Sequence, residues 1–328
     1  MTGSAACPAC GAPAAKPLER LSTRRLRQGW LEPHLQVDVA ALLPATAALA
    51  LHRCDTCDLT WFHPATAGDA AFYAALQAHD WYYQDDKPEY AQAAAQLGGA
   101  ALRVLEVGCG AGRFARHLPA GSRYRGLEFN DAAVARARAA GLDVQRRDLA
   151  DEAAAAPGAW DVVCHFQVLE HVADPGAFMR HCARALRPGG LLLAAVPSDD
   201  AWPGQAVNAW LNLPPHHLTR WSDRALLALF AQVGAGEATL WHEPLPDAER
   251  PVHDDALAHA AWARLAGQPL PPSRVLQRGL LQRLAWRWPR LKRQLARQEA
   301  SQAAWAGRGH TVLAWGRTAP LALSGGGP

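Results

Sequence analysis

The sequence predicts an α/β protein: a Rossmann-like, seven-stranded sheet with helices on both faces, preceded by a small N-terminal module. Three observations predict this fold. An apolar run, residues 102–107, leads into the alternate glycines Gly108, Gly110 and Gly112, as a strand does when it turns directly into a helix. Apolar runs and helical segments then alternate along the chain, as in α/β folds. Two Cys-x-x-Cys pairs lie ahead of this region and mark the module.

Composition sets the scale of the molecule. The chain has 328 residues, half of them apolar, which is enough for one large or two modest domains. A net charge of +3 is too small to indicate a nucleic-acid partner. There is no apolar run of bilayer length and no secretory signal, and four of the seven cysteines lie in Cys-x-x-Cys pairs. We therefore expect a cytoplasmic protein, with its oligomeric state left open.

Changes along the chain predict three parts. Residues 1–65 form the N-terminal module, and residues 66–98 form a helical lid or linker that includes an aromatic run around Trp81. Residues 99–328 form the main domain, with a helical, basic insertion at about 243–310 ahead of the last strand. The lid either excludes water from a ligand or packs the module against the main domain.

The two Cys-x-x-Cys pairs predict a zinc site with the fold of a zinc ribbon. A tight turn of this kind directs two thiolates at one point, and two such turns complete a tetrahedral four-cysteine site. Four thiolates leave no open position for a catalytic water, so we predict a structural zinc ion held by Cys7, Cys10, Cys54 and Cys57. Unrelated cysteines or a redox pair are the alternatives, but the βαβ pattern expected around a redox pair is not found here.

The glycine turn is predicted to hold a ligand. Glycines let the backbone turn tightly and approach a ligand closely, and the following helix offers free N–H groups. We expect that helix to bury Phe114, Ala115 and Leu118. Glu106, at the end of the strand, suits a cationic ligand and would repel a pyrophosphate. The Gly-x-Gly-x-Gly spacing also differs from the Gly-x-Gly-x-x-Gly of dinucleotide sites.

The segment VLEVGCGAGRF resembles motif I of the class I methyltransferases that use S-adenosylmethionine (SAM). The resemblance implies that the glycine loop wraps the methionine and ribose part of SAM, and that the acid before it helps to hold the ammonium group. It extends from Cys7 to about Gly236 and includes the last strand. The first predicted SAM-binding residues are Glu106, Gly108, Cys109, Gly110, Gly112, Arg113 and Phe114.

The next two strands supply further candidates. A short strand ends at Glu128, and an acid at that place accepts hydrogen bonds from a ribose diol in Rossmann-like folds. Asp131 is expected to cap a helix at 132–140, and a third strand is expected at 142–145. The resemblance gives Glu128 the ribose-binding role and places Asp148 beside the adenine amino group. Three neighbouring residues are also predicted to bind SAM: Phe129, Asn130 and Leu149.

The segment after the fourth strand, predicted at 160–166, resembles that of ubiquinone-pathway O-methyltransferases. In those proteins a Glu-x-x-Glu-His set can hold a divalent ion. Here Gln167 takes the first position, while Glu170 and His171 are kept. This departure argues against a catalytic metal, and we expect His171 to pack against the loop. Phe166, Gln167 and His171 complete the predicted SAM-binding set.

The remaining elements of the sheet follow in order. A helix is predicted at 178–186 and a fifth strand at 191–196, separated by an Arg-Pro-Gly-Gly stop. Ser222 is expected to cap a helix that runs to Val233. Strands six and seven are predicted at 238–242 and 311–316.

Residues 208–221 form the predicted acceptor side. Pro214 and Pro215 fix an extended backbone, and His216 and His217 follow directly. Similar segments in the methyltransferases that this chain resembles lie over the methyl group of SAM. Because histidine can act as a general base near neutral pH, we predict a catalytic role for one of these two histidines. Anchoring of the loop by hydrogen bonds is the alternative, and the sequence does not decide which histidine acts.

The basic insertion carries eight cationic residues and no acid between residues 274 and 297. Apolar residues recur there at helical spacing, namely Leu276, Leu280, Leu284 and Trp288. Such a helix can make peripheral contact with an anionic membrane. It can equally bind an acidic acceptor or partner, or pack its apolar stripe on its own domain.

The motifs together predict an enzyme that transfers a methyl group from SAM to a small-molecule acceptor by direct displacement. Oxygen, carbon and nitrogen acceptors all fit, with O- or C-methylation expected, and a sugar or another secondary metabolite is the class that the resemblance implies. One alternative is a SAM- and zinc-binding interaction protein without catalysis. The other is an NAD-dependent oxidoreductase, against which the glycine spacing and Glu106 argue.

Overall fold

A computed structural model describes residues 6–14, 16–44, 48–79 and 86–319. None of the helices in this part of the chain is long and apolar enough to cross a membrane. The strands are β1 (Glu19–Ser22), β2 (Ala48–Arg53), β3 (Thr60–His63), β4 (Arg103–Val107), β5 (Arg123–Leu127), β6 (Val144–Gln145), β7 (Trp160–Phe166), β8 (Leu186–Pro197), β9 (Thr219–Arg220), β10 (Thr239–Pro244) and β11 (Arg308–Arg317). The α-helices are α1 (Thr23–Trp30), α2 (Ala70–Gln77), α3 (Pro88–Ala94), α4 (Asp131–Ala139), α5 (Leu149–Ala155), α6 (Pro175–Ala185), α7 (Trp202–Gln205), α8 (Asp223–Gln232), α9 (Arg250–Leu265), α10 (Leu280–Ala285) and α11 (Pro289–Ala300).

Seven strands form the main sheet in the order β10-β11-β8-β7-β4-β5-β6. The five strands from β8 to β6 run parallel, while β11 is antiparallel to both of its neighbours. Leu105, Val163 and Leu193, in the three central strands, are completely buried, as expected for parallel strands covered on both faces. This Rossmann-like sheet, flanked by helices, confirms the predicted fold.

A second, antiparallel sheet belongs to the N-terminal part and has the order β1-β2-β3-β9. Its last strand, β9, comes from the predicted acceptor segment, where Thr219 pairs with Trp61 and Arg220 with Thr60. The N-terminal sheet therefore fixes the position of a segment that lies more than 150 residues later in the chain.

The N-terminal module and the main sheet share one hydrophobic core. Leu59 and Trp61 pack in the same cluster as Trp221 and Leu226. A hydrogen bond of 2.6 Å from the Ser222 hydroxyl to Asp58 joins the second Cys-x-x-Cys turn to the start of α8. The three-part division at residues 65 and 98 remains a prediction. The first part lies against the main domain through this common core, and the second part does so through Tyr90 and Leu97, which pack in a different cluster with Phe166.

The structure differs from the sequence-based expectations at several elements. The segment after the glycine turn is a five-residue 3-10 helix, Arg113–His117, because Pro119 prevents a longer helix. Helix α4 is capped by the Asn130 side chain, which accepts a 2.9 Å hydrogen bond from the Ala133 N–H. The expected cap, Asp131, is instead the first helical residue.

The predicted lid is two separate helices, α2 and α3, and not one. Its aromatic residues Trp81, Tyr82 and Tyr83 lie outside the described residues. The basic segment of the insertion, residues 274–297, is also divided, since α10 begins after Gly279 and α11 begins at Pro289. Proline lacks the N–H that a continuous helix needs, and it suits the first helical position.

Candidate functional site

The glycine loop follows β4 at the carboxyl edge of the main sheet. Gly108, Gly110 and Gly112 all have positive φ angles, of 66°, 53° and 71°, a region that favours glycine. A Cβ atom at Gly108 would lie 2.5 Å from Val168, and one at Gly112 would lie 2.5 Å from Leu142. A Cβ atom at Gly110 would meet no protein atom within 4 Å. Gly110 therefore faces open space in which a ligand can approach the backbone.

Glu128 ties this loop to the end of β5. Its Oε2 atom accepts a 2.8 Å hydrogen bond from the Gly110 N–H. Its Oε1 atom accepts hydrogen bonds of 2.8 Å from the N–H groups of Phe129 and Asn130. A carboxylate has about four lone-pair sites, so Glu128 retains the capacity to accept a further hydrogen bond from a ligand hydroxyl.

Glu106 lies beneath the loop and is only 1% exposed. Its Oε2 atom accepts a 2.6 Å hydrogen bond from the Tyr124 hydroxyl. Burial raises the pKa of Glu106 to about 8, and the Tyr124 hydrogen bond and the charge of Lys87 act in the opposite direction. A cationic ligand group would stabilise the ionised carboxylate, which fits the role expected for this acid.

The other predicted SAM-binding residues lie along the same edge of the sheet with differing exposure. The Phe129 ring is 63% exposed. Asp148 accepts a 2.7 Å hydrogen bond from the Ala150 N–H and so caps α5. Phe114 is completely buried, with its ring centroid 4.7 Å from that of Phe166. Cys109 and Leu149 are also buried, and Arg113 is half-buried.

Gln167 has a φ angle of 59°, and its side chain is held by residues from two other elements. The amide nitrogen donates hydrogen bonds of 3.2 Å to Glu89 and to the Thr311 hydroxyl. Glu89 and Lys87, at the start of α3, were not predicted from the sequence. Pro88 marks the start of a helix, but nothing local in the sequence places α3 beside β7.

The structure brings His171 together with His216 and His217. One ring nitrogen from each lies within 4.8 Å of the others, and the rings of His216 and His217 stack with centroids 4.5 Å apart. Burial lowers the pKa of His171 to about 4 and those of His216 and His217 well below the usual value. The three imidazoles are therefore neutral at physiological pH. We call these three residues the histidine cluster.

A narrow cavity lies beside the histidine cluster and is lined by His217, and in this structure it is too narrow to admit a water molecule. Three further lining residues carry a buried side-chain oxygen without a hydrogen-bond partner in the described part of the chain: Glu170 Oε2, Ser198 Oγ and Asp199 Oδ1. Unpartnered buried oxygens are costly, so a hydrogen-bond donor that entered after a local widening of the cavity would stabilise them.

The four predicted zinc ligands also come together. The Sγ atoms of Cys7 and Cys57 lie 3.6 Å apart, those of Cys10 and Cys54 lie 3.5 Å apart, and all four lie within 4.8 Å of one another. Zn–S bonds of about 2.3 Å in a tetrahedron separate the sulfurs by about 3.8 Å, so the cluster fits zinc. The hydrogen bond between Cys7 and Cys57 lowers the pKa of Cys7 and raises that of Cys57.

The Glu106 carboxyl predicts a pH dependence of stability. Its pKa rises from 4.5 to about 8 on folding, so the folded state binds a proton more tightly than the unfolded state. Stability due to this proton is present below pH 4.5 and is lost as the pH rises through about 8. Across this range the free energy of unfolding of the parent protein should fall more steeply than that of Glu106→Gln. The difference between the two slopes should be up to about 1.4 kcal/mol per pH unit.

Urea unfolding between pH 5 and 8 tests this expectation, with the exposed Glu237→Gln as the matched control. A Glu106→Gln profile parallel to that of the parent protein would show that this carboxyl is ionised throughout.

Comparisons with known proteins agree with this architecture. A family model described as a methyltransferase domain matches residues 71–235. A ubiquinone biosynthesis O-methyltransferase of Ralstonia nicotianae is 34% identical over 149 residues, which cover 40% of this chain and 61% of that protein. A probable S-adenosylmethionine-dependent methyltransferase of Mycolicibacterium smegmatis is 35% identical over 126 residues, which cover 38% and 48%. The chain thus spans about half of the length of these relatives.

Among solved structures, a SAM-dependent methyltransferase from Archaeoglobus fulgidus matches 70% of this chain and 92% of that chain. The sequence identity is 12% and the TM-score is 0.46.

Proposed function

Because this chain belongs to the methyltransferase-domain family, we propose that it transfers a methyl group from SAM to a small-molecule acceptor. The observation that carries this proposal is the glycine loop at the carboxyl edge of the sheet. There Gly110 faces open space, Glu106 lies buried below, and Glu128 holds the loop from the end of β5. Ligands of open α/β sheets bind at this edge.

We assign the predicted residues to parts of SAM on this basis. Glu106 would bind the ammonium group, and Glu128 would accept hydrogen bonds from the ribose diol. Asp148, whose side chain is exposed beyond β6, would face the adenine amino group. The exposed ring of Phe129 lies between these two acids in the sequence and offers an apolar face to the base.

SAM supplies an activated methyl group, so the protein mainly positions the acceptor and excludes water. We propose that the acceptor enters beside the histidine cluster and that its reacting group is a hydroxyl. The unpartnered oxygens of Glu170 and Asp199 would accept hydrogen bonds from further polar groups of the acceptor. A polyhydroxylated small molecule, such as a sugar, would satisfy these oxygens once the cavity widens to admit it. The named ubiquinone relatives favour oxygen as the methylated atom.

We further propose that His217 acts on the acceptor and His216 anchors the loop. His217 lines the cavity. The His216 ring packs against Trp30, Phe72 and Tyr73, at centroid distances of 6.4, 6.1 and 6.1 Å. The Trp30 indole also donates a 2.9 Å hydrogen bond to the carbonyl of Pro214, which fastens the loop to the N-terminal module.

Titration calorimetry with SAM tests the proposal. SAM should bind the parent protein and raise its melting temperature. Gly110→Val should abolish binding, because a branched side chain fits poorly at a φ of 53° and fills the open space above the loop. Gly99→Val, at an exposed glycine with no atom near its Cβ position, is the matched control.

Three outcomes would contradict this assignment. Binding of NAD in place of SAM would favour an oxidoreductase, and undiminished SAM binding by Gly110→Val would move the site away from the loop. SAM binding without turnover of any acceptor, in a panel of phenols, catechols and sugars assayed with labelled SAM, would favour a non-catalytic binding protein.

The basic segment is proposed to touch an anionic membrane surface. Two leucines of α10 and the tryptophan before α11 do not pack on the protein, since Leu280, Leu281 and Trp288 are 74%, 75% and 70% exposed. Exposed apolar side chains of this size mark an interaction surface. Exposed arginines surround them: Arg283, Arg287, Arg290, Arg293 and Arg297.

Co-sedimentation with vesicles tests this surface. The protein should bind vesicles that contain phosphatidylglycerol and release them as salt rises beyond about 0.15 M, where the Debye length is about 8 Å. Leu281→Ser should weaken binding, whereas Leu265→Ser, at an exposed leucine outside the basic segment, should not. Equal binding to neutral vesicles, or no binding, would refute the contact.

A further inference from the structure

The cavity beside the histidine cluster is closed in this structure, since it does not admit a water molecule. Its walls come from separate elements: Pro203 belongs to α7, and Arg220 belongs to β9. The loop between α9 and α10 is hydrogen-bonded to both of these elements. We call the central part of this loop, residues 271–276, the strap. We infer that the strap holds the cavity closed and must detach before an acceptor can enter.

Arg220 joins the strap to the wall of the cavity. Its side chain lines the cavity, and the residue is only 5% exposed. The guanidinium group donates hydrogen bonds of 3.3 Å and 3.0 Å to the carbonyl oxygens of Pro272 and Ser273 in the strap. It also donates a 3.2 Å hydrogen bond to the carbonyl oxygen of Asn212, another lining residue. Detachment of the strap would therefore free a side chain that forms part of the cavity wall.

The strap is also fastened to α7 and to the residues that follow this helix. Arg274 donates hydrogen bonds of 3.0 Å to the carbonyl oxygen of Gly204 and 2.7 Å to the side-chain oxygen of Gln205. The Asn208 N–H donates a 3.0 Å hydrogen bond to the carbonyl oxygen of Arg274. The Asn208 side chain accepts a hydrogen bond from the N–H of Leu276 and donates one to its carbonyl oxygen, at 2.9 and 3.1 Å. The strap thus holds the α7 wall and the β9 wall in one arrangement.

Glu19 of β1 binds the strap from the N-terminal sheet. Its Oε2 atom accepts a 2.8 Å hydrogen bond from the Ser273 N–H, and its Oε1 atom accepts one of 2.8 Å from the Ser273 hydroxyl. Hydrogen bonds to a carboxylate are among the stronger ones in proteins, and Ser273 is only 1% exposed. Because Glu19 does not line the cavity, these two contacts can be changed without altering the cavity wall.

The backbone of the strap has the properties of a segment that moves. Gly267 and Gly279 lie on either side of it, and a Cβ atom at either position would meet no atom within 4 Å, so both can absorb backbone rotation. Arg274 has a φ angle of 62°, and Asn208, its hydrogen-bond partner, has one of 56°. This conformation is unfavourable for residues other than glycine and persists only where surrounding contacts enforce it. Detachment of the strap would relieve this strain.

The role of the strap in acceptor entry rests on the function proposed above, whereas its detachment can be measured on the protein alone. None of the strap contacts given above involves the glycine loop, so SAM should bind with the strap in place. An acceptor should react only in molecules whose strap has detached. The ratio kcat/KM for the acceptor should then follow the fraction of such molecules.

A reversible crosslink tests the strap directly. Glu19 and Ser273 are both replaced by cysteine and joined with a bifunctional methanethiosulfonate reagent that has a three-carbon bridge. The crosslinked protein should bind SAM as tightly as the same variant without reagent. It should methylate the best acceptor of the panel above about tenfold more slowly or worse, and a reducing agent should restore the rate. Parent protein treated with the same reagent is the control for the native cysteines, and its rate should not change.

Glu19→Ala tests the opposite change. Removal of both hydrogen bonds to Ser273 should raise kcat/KM for the acceptor by about tenfold and leave SAM affinity unchanged. Glu32→Ala, at a half-buried glutamate of the N-terminal part that lies 4.0 Å from His34, is the matched control and should change neither quantity. A strap that only supports the fold would give Glu19→Ala a lower stability without any gain in kcat/KM.

Hydrogen exchange supplies a measurement that does not depend on methyl transfer. The N–H groups of Ser198 and Asp199, two lining residues, are hydrogen-bonded to the carbonyl oxygens of His310 and Trp221. Their exchange should quicken together with that of Ser273 in Glu19→Ala and should slow in the crosslinked protein.

Two results would overturn the inference: full turnover by the crosslinked protein, or exchange at Ser198 and Asp199 that does not change with that at Ser273. Near-ultraviolet circular dichroism and SAM titration report whether each variant is folded. A parent protein that binds SAM but methylates no acceptor would contradict the proposed function. The exchange measurement would then decide the role of the strap by itself.

Discussion

Cys54→Ser is expected to release the structural zinc ion and to unfold the N-terminal module. Binding of zinc to a four-cysteine site contributes about 10–16 kcal/mol of apparent folding free energy at neutral pH. Cys54, Leu59 and Trp61 belong to the same hydrophobic cluster as Trp221 and Leu226. The loss of zinc should therefore also lower the stability of the main domain and displace β9, which pairs with β3.

Zinc content and thermal unfolding check this expectation. Cys182→Ala is the matched control, since it removes a completely buried thiol that lies outside the cysteine cluster. The control should keep its zinc and lose only the modest stability of a small core cavity. Full zinc occupancy in Cys54→Ser would exclude a four-cysteine site.

His217→Ala is expected to lower kcat by roughly 10²–10⁴-fold for a hydroxyl acceptor, with unchanged affinity for SAM. This is the usual contribution of a group that assists proton removal. His217 lines the cavity, whereas the glycine loop, which follows β4, does not. SAM binding should thus be preserved while turnover is lost.

His216→Ala provides the comparison. Its ring packs against aromatic side chains of the N-terminal part, Trp30 and Phe72, so this variant should lose stability as well as activity. Steady-state kinetics, SAM titration and urea unfolding of both variants separate the two roles. Parental turnover by a folded His217→Ala variant would show that positioning of the acceptor alone is sufficient.

The sequence determined the features that depend on near neighbours in the chain. The strand at 102–107, the glycines after it and the two cysteine turns are all local patterns. The cap of α8 is another, since Ser222 accepts the expected hydrogen bond from the Ala225 N–H. Each of these signals acts over a few residues, through backbone conformation, hydrogen bonding or side-chain alternation. The order of these elements was sufficient to predict the Rossmann-like sheet.

Only the tertiary structure decided which distant residues meet. Strand β9 joins the N-terminal sheet and carries with it the loop of His216 and His217, which thereby reaches His171 at the end of β7. The sequence alone did not bring these histidines together, because His171 and His216 are 45 positions apart. It also left open whether the apolar stripe of the basic segment packs on the protein, and α10 leaves Leu280 and Leu281 in solvent. Such contacts depend on how whole helices and strands pack together, and this packing cannot be predicted from local propensity or residue spacing.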